Sequence, residues 1–518
     1  MTRIRSNDPR PRFRTRPAAA ITAALLALTA CGGGTEGSSS PGGTTLSLAI
    51  QATPNSFDPA QINDGQAAYV WSALYDTLLH TDNKGELKPN AAESWTYSAD
   101  GLALTLKLRP GMRFSSGVAV DAAAVKATME RTLTTPGPEQ TLLRSVRAVE
   151  TPAATTVVIR LKKRDSTLLS SLSMGAGVIG DPATMAGKGA VLNPVGSGPY
   201  VLDKATVTGS TYVLKRRDDY WNAKAYPFRT VTIKVIADPT AAFNALRAGQ
   251  LNAGSVAPEY ARQLTAAGFR TTLVKATAVA DLILADRAGT VLEPLADPRV
   301  RRAVNMAFDR PKIAGQLLKG VARPTVQVFN PMGPAYDAAL DRTYPFDPAA
   351  AKKLLAEAGY PNGFSVTMPG FVYTKTFEPT VTQALGTIGI KVKWTPVPAQ
   401  NIFSAITSKK YPMFLFVDGI STTPREAGNN FSPSGYLNPF HSTDPELTEL
   451  LERAESELDP TKAADAYRKV NAFVVEEAWN APISFLGNNW ATKGVEYLGN
   501  GTNVNSTIRA FGVSGRPE

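Results

Sequence analysis

Five times along this chain an aspartate is followed by a proline at the head of a segment patterned for a helix: Asp238-Pro239, Asp297-Pro298, Asp347-Pro348, Asp444-Pro445 and Asp459-Pro460. The aspartate can accept from the free amides of a first helical turn, and proline tolerates the first helical position, where no intrahelical N–H bond is lost. Each pair predicts a helix start. Behind Pro348, the residues Ala351, Leu354, Leu355 and Ala358 form one apolar stripe, and Gly359 supplies the stop. Behind Pro298, Val300, Ala303, Val304, Ala307 and Phe308 repeat the pattern. These aspartates are structural caps and are set aside as catalytic candidates.

Strand patterns alternate with the helices. Leu102, Leu104, Leu106 and Leu108 recur with period two, as do Val231, Ile233 and Val235, and Ile390, Val392 and Trp394. The run Met413 to Val417 is apolar at every position, which predicts a strand buried on both faces of a sheet. Alternation from about residue 46 onward gives an α/β class. At 518 residues and 43% hydrophobic content the chain can bury a large core in two or three domains.

The net charge of +11 is concentrated at one end. Residues 1–30 hold six arginines against Asp8 and account for +5 of it. No Lys/Arg block of nucleic-acid-binding density follows, so no nucleic-acid partner is expected. The arginines precede an apolar stretch from Ala18 to Ala30, too short to span a bilayer, and residues 1–30 read as a secretory signal. It closes on Leu28-Thr29-Ala30-Cys31, and Cys31 is the single cysteine of the chain. This resembles a bacterial lipobox, which implies that Cys31 is lipidated. Residues 31–45, rich in Gly, Ser, Thr and Pro, then read as a flexible linker between membrane and folded domain. A lone cysteine forms no disulfide within the chain.

The stock of reactive residues is poor. With two histidines, His80 and His441, and one cysteine, no Cys/His metal cluster is possible. No nucleophile elbow and no phosphate loop with its lysine is present. In Gly196-Ser197-Gly198-Pro199-Tyr200 the proline removes a donor that a phosphate cradle would use, and a tight structural turn is the reading. No catalytic residue, metal or cofactor is expected. Asp418 stands out because it follows the apolar run 413–417, and open α/β sheets bind ligands beyond their strand ends. Two readings stay open for it: a partner for a ligand's positive charge or hydroxyl, and a turn-forming residue before Gly419.

A series of segments recurs in order. Leu74-Tyr75-Asp76-Thr77-Leu78-Leu79 precedes Gly85 to Trp95, Asp100-Gly101, and Leu106 to Phe114. Then come Pro194 to Tyr200, Asp219-Tyr220-Trp221, Asp297 to Ala303 with Asp309-Arg310, and Ala351 to Tyr360. Together, over roughly residues 46–490, they resemble the family 5 extracellular solute-binding proteins, the peptide- and nickel-type receptors of ABC importers. Three departures are visible: Ser115-Ser116-Gly117 stands where the family has His-Asp-Gly, Phe414 to Asp418 replaces its Trp-x-x-Asp, and Ser421-Thr422-Thr423-Pro424 replaces the Asp-Pro that often follows.

The resemblance implies a type II periplasmic-binding-protein-like fold with an enlarged first lobe. It places lobe I at 46–280 plus 486–518 and lobe II at 281–485, closing on a ligand by a hinge. It implies a short peptide or similar small polar solute, delivered to importer permease subunits by a monomeric lipoprotein. Asp418 would meet the ligand's amino end, and Lys375 or Arg425 its carboxyl end. Phe57, Tyr69, Trp71, Tyr373 and Tyr436 would form the walls. An exported hydrolase, a solute-sensing receptor, and a nickel-chelate or sugar ligand are the alternatives.

Overall fold

The computed structural model describes residues 45–514 except 52, 84, 186–192, 399–400 and 500–505. The expected signal segment, Cys31 and the linker lie outside the described residues, save Thr45, which already opens the first strand.

All five Asp-Pro pairs start helices. Asp238, Asp297, Asp347, Asp444 and Asp459 each accept from an amide of the first turn, with proline beside the cap in every case. Asp347 caps Pro348–Glu357, whose Ala351 and Leu355 are buried, and Gly359 adopts a left-handed φ of 94° just past the end. The helix Pro298–Met306 buries Val300, Ala303 and Val304 but stops two residues before Phe308.

A nine-stranded sheet organises the chain. Its path runs Phe414–Gly419, Arg270–Ile283, Ala481–Thr492, Ala253–Val256, Thr45–Ile50, Thr230–Val235, Thr211–Arg216 and Tyr200–Leu202, with Arg323–Pro324 paired to Ala481–Thr492 off the path. Thr45–Ile50 lies parallel to Thr230–Val235, where Val231 and Ile233 are fully buried as the alternation predicts. A separate four-stranded antiparallel sheet orders Ala92–Tyr97, Ala103–Leu108, Thr156–Leu161 and Val146–Ala153. Leu104, Leu106 and Leu108 enter the core behind it, but Leu102 precedes the strand and is 39% exposed.

The apolar run around 414 meets the expectation of burial on both faces only as far as Leu415. Its strand is Phe414–Gly419 and forms the edge of the large sheet, paired on one side only with Arg270–Ile283. Met413, Phe414 and Leu415 are fully buried while Phe416 and Val417 are half-buried. Met413 and Leu415 share a core with Val366 and Met368 of the separate strand Ser365–Gly370, and Phe414 packs with Phe371, Ile406 and Leu437.

Two long strands carry the chain between the two ends of this sheet. Arg270–Ile283 and Ala481–Thr492 pair antiparallel, and their register breaks between Val274 and Ala278. At the break sits Gly487, where a Cβ would fall 2.4 Å from the Val321 carbonyl oxygen and 2.7 Å from that of Val274. On one side, Leu46, Leu48, Tyr212 and Val231 share a core; on the other, Leu282, Val304, Leu355, Leu415 and Ile483 share another. The turn at Gly196 to Tyr200 is structural: Gly198 donates to the Leu74 carbonyl, and Cβ atoms at Gly196 or Gly198 would collide with backbone 73–75.

Candidate ligand-binding cleft

Asp418 lies inside the edge strand, opposite Val279, and not beyond the strand's end. Strand periodicity puts it on the same sheet face as Phe416 and Phe414, with Asp281 facing Phe416 from the neighbouring strand. The Tyr436 hydroxyl donates to Asp418 Oδ1 at 2.9 Å. Burial lifts the Asp418 carboxyl to about 6, against the opposing pull of the Tyr436 hydrogen bond and of Arg425. Asp281 is fully enclosed, accepts from Asn480 at 2.8 Å, and is lifted by burial to about 7, with Asp418 adding to the rise.

Aromatic rings crowd this carboxylate. Phe416 meets Tyr373 at 5.8 Å and Tyr436 at 6.3 Å between centroids, Phe371 meets Tyr373 at 5.7 Å, and Phe403 meets Tyr436 at 6.1 Å. Tyr373 and Phe403 remain 37% and 63% exposed, so the cluster presents ring surface outward. A carboxylate beside aromatic faces suits a cationic amine, which gains from both. Lys375 is exposed on the same loop as Tyr373 and makes no ion pair among the described residues.

The helix Thr423–Phe431 brings two further charges. Arg425 Nη1 reaches Asp64 Oδ2 at 2.5 Å, across 361 residues of sequence, so its charge is already engaged. Glu139 is fully buried nearby and neither of its oxygens has a hydrogen-bond partner. Burial and Asp64 push its carboxyl well above the ordinary range, while Arg425 pulls the other way. Glu426 accepts from the amides of Ser421 and Asn330, both at 3.0 Å, and burial raises it to about 8. These bonds staple the loop after Asp418 to the segment at Asn330.

Further contacts join residues before 280 to residues after it. Thr422 bonds Ser170 at 2.9 Å, the Ser166 amide donates to the Glu455 carbonyl at 2.7 Å, and Arg144 pairs with the Glu455 side chain at 3.2 Å.

Three expected wall residues belong elsewhere. Phe57, Tyr69 and Trp71 are buried in the core that contains Leu46 and Tyr212. Phe57 packs edge-on to Tyr212 and Tyr69 edge-on to Trp490. Trp71 Nε1 donates to the Asn63 carbonyl at 2.9 Å and so steadies the segment that carries Asp64. Tyr373 and Tyr436 do gather at Asp418. Sequence reasoning missed Asp64, Glu139, Asp281, Phe403 and Glu426, which stand far apart along the chain. Only Glu426 carried a signal, its adjacency to Arg425.

A mixed sheet, two packed cores and an acid-and-aromatic cleft define a protein built to hold a small molecule. Residues 86–443 match the bacterial extracellular solute-binding proteins, family 5, and the chain belongs to that family. The glutathione-binding protein GsiB of Escherichia coli K12 is 28% identical over 455 residues, covering 84% of this chain and 88% of GsiB. The fold matches that of the periplasmic binding protein DppA of Helicobacter pylori, solved with the peptide STSA, at a TM-score of 0.79 and 21% identity over 91% of this chain and 98% of DppA. It also matches AgaA of A. tumefaciens R10, solved with agropinic acid, at 0.78 and 24% over 91% of this chain and 99% of AgaA. This is a solute-binding protein of the periplasmic-binding-protein fold. No helix among the described residues is long and apolar enough to cross a membrane.

Proposed function

We propose that the protein captures a short peptide or a similar solute with a free amino group and passes it, unaltered, to the permease of an ABC importer. The observation that carries this reading is Asp418, hydrogen-bonded to Tyr436 and edged by the rings of Phe416 and Tyr373. An ammonium group would settle on the carboxylate. Lys375, which makes no ion pair among the described residues, would serve the opposite end of the solute, since Arg425 is held by Asp64. The likeness to a glutathione-binding protein and to a peptide complex supports this choice of ligand class.

The two lobes would be residues 46–280 with 486–518, and 281–485, hinged where the paired long strands lose register beside Gly487. The contacts of Arg425, Thr422 and Glu455 across this division support a closed arrangement. Lipidation at Cys31 would hold the monomeric protein at the outer membrane face.

The test is calorimetric titration with a short peptide and with the same peptide N-acetylated. Wild type binds the first and discriminates against the second. Asp418→Ala keeps the fold and loses about 30- to several-thousand-fold in affinity for the free peptide, because about 2–5 kcal/mol is typical when one partner of a buried pair is removed. Binding within about threefold of wild type, well under the tenfold that about 1.4 kcal/mol represents, would leave Asp418 with a structural role only.

A further inference from the structure

A second cavity, of about 370 Å³, is lined by the loop 421–424 that follows Asp418 and by Ser166, Ser170 and Asn330, but not by Asp418 itself. Asp64, Asp418, Arg425 and Tyr436 do not line it. Tyr97, Leu169 and Ser170 form one wall and Pro334, Leu458 and Tyr467 the other, so both sides of the proposed hinge contribute. The volume falls within the range of about 300–1,000 Å³ that small-molecule sites occupy.

Three hydroxyls of lining residues, those of Ser421, Thr423 and Tyr467, lack a well-placed hydrogen-bond partner among the described residues, and the last two stand out. Tyr467 and Thr423 are 3% and 5% exposed, and neither Tyr467 Oη nor Thr423 Oγ1 meets a hydrogen-bond partner in good geometry among the described residues. The Ser166 hydroxyl stands beside Tyr467 and donates to the Ala454 carbonyl at 3.2 Å, which leaves its lone pairs able to accept a weak bond from Tyr467. Thr423 Oγ1 faces Gly333, where any Cβ would stand 3.2 Å from it. Buried polar groups in native proteins are nearly always satisfied, which makes two together in one cavity a mark of something they bind. The remaining lining is mainly apolar, and among the described lining residues only Glu457 is charged.

We propose that this crevice is a second binding site, for an uncharged apolar molecule bearing a carbonyl or amide that the Tyr467 and Thr423 hydroxyls engage. Because its walls come from both sides of the hinge, the occupant binds the closed arrangement and is favoured by solute in the first cleft. Equilibrium coupling requires the converse as well.

N-acetyl-leucinamide is the probe: it is uncharged, apolar on one side, and has no amine to offer Asp418. Titrated into the full chain and followed by ligand-observed NMR, it binds wild type with a dissociation constant of about 1 mM or tighter. Asp418→Ala leaves this unchanged. Ala463→Phe, which fills the crevice from a half-buried helix position, weakens it at least about tenfold, and Tyr467→Phe about fivefold, the worth of one ordinary hydrogen bond. Circular dichroism checks the fold, and Ala464→Leu replaces the first variant if that one unfolds. The proposal is overturned by absence of binding up to about 20 mM, by equal binding in the filled or Tyr467→Phe variants, or by loss in Asp418→Ala. That last result would place the probe in the solute cleft, whereas the peptide reading is judged separately by the free and acetylated peptides.

Discussion

Four buried acids set the pH behaviour of the cleft, one of them Glu139, which is raised well above the ordinary carboxylate range by burial. Asp418, Asp281 and Glu426 are all raised, to about 6, 7 and 8, and burial is the first cause each time. A raised folded-state value means that the folded chain keeps its proton after the unfolded chain has lost it. The stability this confers is full below the ordinary carboxylate values and is lost as pH rises through the folded ones. Ligand-free protein is therefore expected to melt at progressively lower temperature from pH 5 to pH 8, with Glu426→Gln flattening the upper part of that decline. An amine bound at Asp418 acts oppositely, pulling its carboxyl down. Peptide affinity should rise with pH to about 7, with proton release near pH 6 visible as a buffer-dependent heat of binding; a flat profile from pH 5 to 7 would contradict the pairing. Asp418 was legible because an acid ends an apolar run. The partner of Arg425 was not, since nothing local connects it to Asp64, and only folding brings them to 2.5 Å.

Elements were more legible than sites where the signal was local. A capping aspartate and its proline act within one turn, and the five helices they start stand as predicted. Asp347→Ala should cost about 1 kcal/mol, the usual worth of an N-cap, read as a lower denaturation midpoint with an unchanged slope. Leu106→Ala, at a fully buried position of the four-stranded sheet, should cost about 2–5 kcal/mol through lost burial and a residual cavity. The strand Phe414–Gly419 shows where local reading ends. An apolar run reports that a segment is covered, not what covers it or how far: Phe414 and Leu415 are fully buried, while Phe416 and Val417 are half-buried. The same limit misplaced Phe57, Tyr69 and Trp71, since an aromatic in a core and one in a pocket wall look alike in sequence.

At the scale of the whole molecule, the proposed hinge makes closure the event that ligand stabilises. Binding to the native state alone raises the apparent stability by mass action, about 2.7 kcal/mol at a hundredfold excess over the dissociation constant. Peptide should therefore raise the melting temperature and reduce the radius of gyration measured by X-ray scattering. Replacing Gly487 with valine, at a point where backbone oxygens stand 2.4 and 2.7 Å from any Cβ, should damage both responses. Strand order has a consequence for synthesis and export. Ala481–Thr492 lies between Arg270–Ile283 and Ala253–Val256 in the sheet, so segments adjacent in sequence wait for one made more than two hundred residues later. Neither proposed half can finish its sheet until almost the whole polypeptide has emerged. Such long-range pairing slows folding, which would keep the chain threadlike during the export proposed for it. A chain ended at residue 480 should stay soluble only with a chaperone and show no cooperative melting.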